Sequence, residues 1–183
     1  MPRAALPQVL IVTGAMAAGK STVAQGVAER LERSVHLRGD VFRRMIVSGR
    51  RDPTPDGVEA WQAQIRLRYE LSWIVADRYA REGFNVIYQD ILGGALADAL
   101  VALKAWRPGV VVLAPSPETL AEREAGRGKR GYKDGWTPHD LDAALRAETP
   151  KVGLWLDTSA MTPAETVGAV FARADETQVG LPI

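Results

Sequence analysis

Apolar and polar positions follow one another along this chain in two rhythms. Short, nearly unbroken apolar runs at 9–13, 34–37, 85–89, 110–113 and 153–156 have the length of strands covered on both faces. Between them apolar residues recur every three or four positions, which predicts helices over 21–32, 41–48, 58–82, 95–103, 117–127, 138–146 and 163–174. Thr137-Pro138 and Thr162-Pro163 read as an N-cap followed by a first-turn proline, and Gly83 reads as the residue that ends the longest helix. Strands alternating with helices predict an α/β fold, a parallel sheet with helices on both faces. The polar, turn-rich stretch 50–57 is expected as a surface loop and 175–183 as a frayed end. With no internal repeat and no interdomain linker, 1–183 reads as one domain.

Composition narrows the class without naming it. A formal net charge of +1 gives no strong field toward nucleic acid or a membrane surface, so neither is an expected partner. The absence of cysteine excludes disulfides, thiolate zinc sites and cysteine nucleophiles, and two histidines, His36 and His139, are too few for a histidine metal site. No apolar stretch approaches the roughly 20 residues needed to span a bilayer. Residues 1–8 lack the apolar core of a signal peptide, so a cytoplasmic location is expected.

One motif carries specific chemistry. Gly14-Ala15-Met16-Ala17-Ala18-Gly19-Lys20-Ser21 is a complete G-x-x-x-x-G-K-[ST] phosphate loop, and it lies between a predicted strand and a predicted helix. The two glycines let the backbone turn tightly and approach phosphates closely. Successive N–H groups at the start of the helix form an anion-binding nest. Lys20 is expected to reach the β- and γ-phosphates, Ser21 to ligate Mg²⁺, and Thr22 to add a hydroxyl near the α-phosphate.

Ligands of such sheets bind beyond the carboxyl ends of the strands, which directs attention to the residues just after each one. Asp40 follows the second strand and precedes a helix. It is a candidate general base for a substrate hydroxyl, with a helix N-cap as the structural alternative. Gly39 before it suits a close backbone approach. Asp90 ends the third strand and is a candidate for ordering Mg²⁺ or its waters, or for capping the next turn. Trp61, Gln62 and Gln64, early in the long helix, either line an acceptor pocket or pack. The basic, glycine-punctuated stretch from Arg123 to Lys133 is expected as a lid over about 123–137. Within it Arg127 and Arg130 are the foremost candidates to neutralise a transferring phosphoryl group, with Arg123 next. A solvated basic loop or a nucleic-acid contact is the alternative there.

Together these residues resemble the small phosphate-loop kinases, and most closely the chloramphenicol phosphotransferase-like group. The matching features are Gly14–Thr22, Gly39-Asp40, Asp90-Ile-Leu-Gly-Gly94, the arginines around Arg123–Arg130, and Leu156-Asp157-Thr158 after the fifth strand. The resemblance runs in order over roughly 9–174 and includes shikimate-, gluconate- and nucleoside-kinase-like relatives. It implies a three-layer fold around a five-stranded parallel sheet in the order 2-3-1-4-5. It also implies ATP and Mg²⁺ as cofactors and phosphoryl transfer to a hydroxyl of a small molecule. Asp40 would be the base, Lys20 with the lid arginines the charge stabilisers, and the adenine would lie near Thr158 and the lid. The acceptor region between Val41 and Gln64 carries no matching motif.

The expected activity is therefore an ATP-dependent kinase whose acceptor is an antibiotic such as chloramphenicol or a metabolite. Two other readings stay open at this stage. One is a nucleotide or nucleic-acid-end kinase. The other is a phosphate-loop ATPase or switch with no acceptor, although no N-K-x-D guanine motif is present. Oligomeric state is not legible.

Overall fold

A computed structural model of the chain describes residues 5–52, 58–126 and 137–180. Five parallel strands form one sheet: β1 (Val9–Gly14), β2 (Ser34–Arg38), β3 (Asn85–Gln89), β4 (Gly109–Leu113) and β5 (Leu154–Leu156), in the order β2-β3-β1-β4-β5. This is the α/β sheet and the strand order expected. Around it lie α1 (Lys20–Ala28), α2 (Asp40–Arg44), α3 (Val58–Arg81), α4 (Ala95–Ala102), α5 (Pro117–Ala125), α6 (Pro138–Glu148) and α7 (Pro163–Ala172).

The period of two along the strands divides the core. Leu10, Val12, Ile87, Val111 and Leu113 face one side, where Val23, Ala24 and Val27 of α1 and Val167 and Val170 of α7 cover them. Val9, Ile11, Val86, Tyr88, Val110 and Val112 face the other side, under Ala76 and Ala80 of α3 and Leu96, Ala99 and Leu100 of α4. The central strands β1 and β4 are buried along their whole length, which is why they read as unbroken apolar runs. The edge strand β2 is only half-buried.

Two helices stop earlier than their patterns predict. The helix expected over 21–32 ends at Ala28, whose carbonyl accepts a hydrogen bond from the Ser34 hydroxyl at 2.6 Å as the chain turns into β2. The helix expected over 41–48 ends at Arg44. The apolar side chains that suggested its continuation have nothing to pack on: Met45 is 66% exposed and Val47 99%. The proline-led starts appear as expected. Thr137 and Thr162 form reciprocal capping boxes with Asp140 and Glu165, and Ser116 caps α5.

These caps generate a stability prediction. Thr162→Ala should lower unfolding free energy by about 1 kcal/mol, whereas Val47→Ala should change it by less than about 0.5 kcal/mol. Urea denaturation of the two variants reads the difference directly.

Candidate active site

The phosphate loop leaves β1 through a backbone only certain residues tolerate. Gly14 has φ +143°, and a Cβ there would lie 2.4 Å from the carbonyl oxygen of Leu113 in β4. Ala17 and Gly19 also adopt positive φ, 65° and 91°. Gly19 is the N-cap residue of α1, and no side chain caps the helix, so no side chain occupies its first-turn amides. No atom lies within 4 Å of the position a Gly19 Cβ would take. Lys20 folds back over the loop, its Nζ donating to the carbonyls of Gly14 at 2.9 Å and Ala15 at 2.7 Å. The open cradle, the uncapped helix and the cation beside it fit an anion with several phosphate oxygens. Ser21 follows at the start of the same helix. Among the described residues no cluster of three or more His, Asp or Glu side chains could hold a metal ion by itself.

At the β2 and β3 ends the structure assembles a second set of charges. Asp40 is the first residue of α2 and makes no capping hydrogen bond. Its Oδ2 pairs with Arg44 at 2.9 Å, and its Oδ1 lies 3.8 Å from Arg38 Nε. That Oδ1 is shielded from solvent and accepts no hydrogen bond. The N-cap alternative for Asp40 is thus not the one adopted.

Asp90 differs from the sequence reading. Its side chain is 1% exposed and turns toward α3, where Arg68 grips it on two atoms: Nη2 on Oδ1, and Nε on Oδ2 at 2.9 Å. The Ile91 amide donates to Oδ1 at 2.7 Å, and Tyr88 Oη lies 3.4 Å from Oδ2. Beside the metal-ordering or turn-capping role expected of Asp90, the structure shows a partner the sequence reading did not name, a guanidinium on both oxygens. It is Gln89 that shares the α1 face of the sheet with Ile87. Gly39 also has a different reason from the one expected: a Cβ there would stand 2.0 Å from Asp90 Oδ2 and 3.1 Å from Ser72 Oγ. The close approach it permits is that of the carboxylate.

Two more ties fix the loop after β3. Tyr69 Oη donates to the Ile91 carbonyl at 2.7 Å, and the Leu92 amide donates to Thr13 Oγ1 at 3.2 Å. Gln64, a candidate for the acceptor pocket, instead holds the preceding loop. Its amide nitrogen donates to the Gly49 carbonyl at 2.8 Å, and its carbonyl accepts from the Arg51 amide at 2.9 Å.

At the β5 end Arg123 and Thr158, both expected near the adenine, meet. Arg123 Nη2 donates to the Thr158 carbonyl at 2.7 Å. Thr158 is buried as a whole residue, so Arg123 is the more exposed member of the pair. Arg127 and Arg130, and the expected lid beyond Gly126 as far as Trp136, lie outside the described residues.

With this geometry in place, the comparisons with known proteins can be set beside it. The AAA domain family matches residues 9–150, from β1 through α6. The chain belongs to the AAA domain family. A UPF0200 protein of Aeropyrum pernix is 34% identical over 127 residues, covering 67% of this chain and 66% of that relative. The chain thus spans just under two thirds of the length of that curated relative. Among solved structures, the tunicamycin resistance protein of Deinococcus radiodurans is similar at 18% identity and a TM-score of 0.65, over 97% of this chain and 100% of that one. The shikimate kinase of Acinetobacter baumannii, in complex with shikimate, is similar at 19% identity and a TM-score of 0.61, over 90% of each chain. These likenesses show the fold: this AAA domain chain is built as the phosphate-loop small-molecule kinases are. Among the described residues no helix is long and apolar enough to cross a membrane.

Arg68 is the site residue that sequence reasoning missed. A signal for it exists: it lies four and eight residues before Ser72 and Ala76, on the face of α3 that is buried. An arginine on that face requires a buried partner.

Two expectations follow. Lys20→Ala should weaken binding of a nucleoside triphosphate by at least about tenfold, measured by calorimetry; unchanged affinity would remove the loop from the assignment. The second concerns His36 of β2, half-buried with Nδ1 2.8 Å from Gln25 Oε1. Burial holds its pKa below the ordinary 6.5, outweighing the opposing effect of Gln89. The folded state therefore binds fewer protons than the unfolded chain below pH 6.5, so stability falls as the pH drops through that range. His36→Gln should flatten that part of a stability-versus-pH curve.

Proposed function

We propose that this chain is an ATP-dependent phosphotransferase that moves the γ-phosphoryl group of Mg·ATP to a hydroxyl of a small molecule. The observation that carries the reading is the pairing, along one edge of the sheet, of an open phosphate loop with the partly exposed carboxylate of Asp40 at the end of β2. An ATPase without an acceptor has no need of that second group.

The residues divide the work. The amides of Gly14–Ser21 and the Lys20 ammonium hold the β- and γ-phosphates. The Ser21 hydroxyl would hold Mg²⁺, which supplies neutralising charge between those phosphates when bound. The Asp40 carboxylate takes the proton from the acceptor hydroxyl, whose oxygen forms the new bond to the γ-phosphorus. The bond to the β–γ bridging oxygen breaks, and its electron pair stays on ADP. Arg44 holds the orientation of Asp40 through the ion pair on its other carboxylate oxygen. Arg123, with the Thr158 backbone, borders the adenine, while Arg127 and Arg130 add charge at the transferring group. An antibiotic such as chloramphenicol and a hydroxylated metabolite both belong to this acceptor class. The tunicamycin resistance protein and the shikimate kinase, each with the same fold, lend support to one and the other.

Asp40→Asn should lower kcat by about 10²- to 10⁴-fold while leaving the Kd for ATP near that of the parent. The assay follows γ-labelled phosphate from Mg·ATP into a panel of hydroxylated compounds. Turnover that survives the substitution would reduce Asp40 to a surface ion-pair partner.

A further inference from the structure

We propose that the buried Asp90–Arg68 pair sets the charge of the acceptor, so that the site takes uncharged hydroxyl compounds and rejects those bearing a carboxylate or phosphate against α3. The proposal rests on the phosphotransfer reading above and specifies its substrate class.

Arginine is the side chain best shaped to grip a substrate carboxylate or phosphate, through two parallel N–H groups. Arg68 stands where such a grip would act, beside the ends of β2 and β3. The charge of Asp40 acts on it, as does that of Arg43. Yet its Nε–Nη2 edge is already taken by a carboxylate of the protein. That carboxylate is 1% exposed and Arg68 15%, so the pair is a neutral unit in a poorly solvated setting. Asp90 has no route aside: the Ile91 amide holds Oδ1, and the Gly39 backbone and Tyr88 hydroxyl wall Oδ2. A substrate anion arriving here would place a second negative charge beside a fixed one, with one cation between them. A hydroxyl meets no such opposition and can use the remaining amino group of Arg68.

The other arginines at this edge do not restore an anion site. Arg44 pairs with Asp40, and Arg43 with Asp52 at 2.9 Å, while Arg38 and Arg44 are about half-exposed and screened by solvent. Anionic acceptors, mononucleotides and nucleic-acid ends included, therefore fit this edge less well than neutral polyols or glycosides.

The first measurement uses the unaltered protein. Its loop is saturated with Mg²⁺ and a non-hydrolysable ATP analogue, and inorganic phosphate is titrated in by calorimetry. No second phosphate should bind in the millimolar range. Asp90→Asn should create such a site, at least about tenfold tighter than any in the parent, and Arg68→Met added to it should abolish the gain. The second measurement compares matched acceptors: shikimate with its methyl ester, gluconate with glucose, AMP with adenosine. The uncharged partner should be favoured in kcat/KM by at least about tenfold. Phosphate binding to the parent beside the filled loop overturns the proposal, as does equal transfer to a charged partner. Should label pass only to water, the phosphotransfer reading fails, and the phosphate titration still decides the claim about charge. If Asp90→Asn does not fold, the two measurements on the parent suffice.

Discussion

A buried carboxylate at the end of β3 is the constraint around which the acceptor side of this molecule is arranged. Taking the Asp90 charge out of water is expensive, and only a well-oriented opposite charge with additional hydrogen bonds offsets it. Arg68 supplies the charge and the Ile91 amide one further bond. That requirement explains residues with no other evident reason. Gly39 is small because the carboxylate lies where its side chain would be. The pair also joins α3 to the edge of the sheet where Asp40 stands, so the candidate base and the long helix keep a fixed relation.

The opposite half of the site obeys a different economy. Around β1 the fold depends on full burial of a parallel strand on both faces, which delivers Gly14 to one place with little freedom. The loop that follows makes anion-binding geometry out of backbone alone, through positive φ at Gly14, Ala17 and Gly19 and an uncapped α1. Side chains set charge at the β2–β3 edge, whereas at the phosphate loop main-chain direction adds to the charge of Lys20.

This contrast accounts for what the sequence made legible. The strands, the proline-led helix starts and the phosphate loop all write themselves locally, as periodicity, caps and a contiguous motif, whereas the strand order comes from the resemblance to the phosphate-loop kinases. Asp40 could be placed because it follows a strand. The pairing of Asp90 with Arg68 was not legible, since that partner lies 22 positions earlier on a different element. Gln64 likewise reads as a pocket-lining or packing residue until the structure shows it clasping Gly49 and Arg51. The end of α2 escaped for a related reason. An apolar residue continues a helical pattern whether or not a neighbouring surface exists for it, and Val47 has none.

Lys20 has one more consequence. Its ammonium sits on the carbonyl oxygens of Gly14 and Ala15, so the loop already solvates its own cation. Binding a triphosphate is then an exchange of acceptors around a fixed charge and not the capture of an unsatisfied one. In the phosphotransfer proposed above, exchange would lower the net gain per contact and give departing ADP a ready successor at the lysine, favouring turnover over retention.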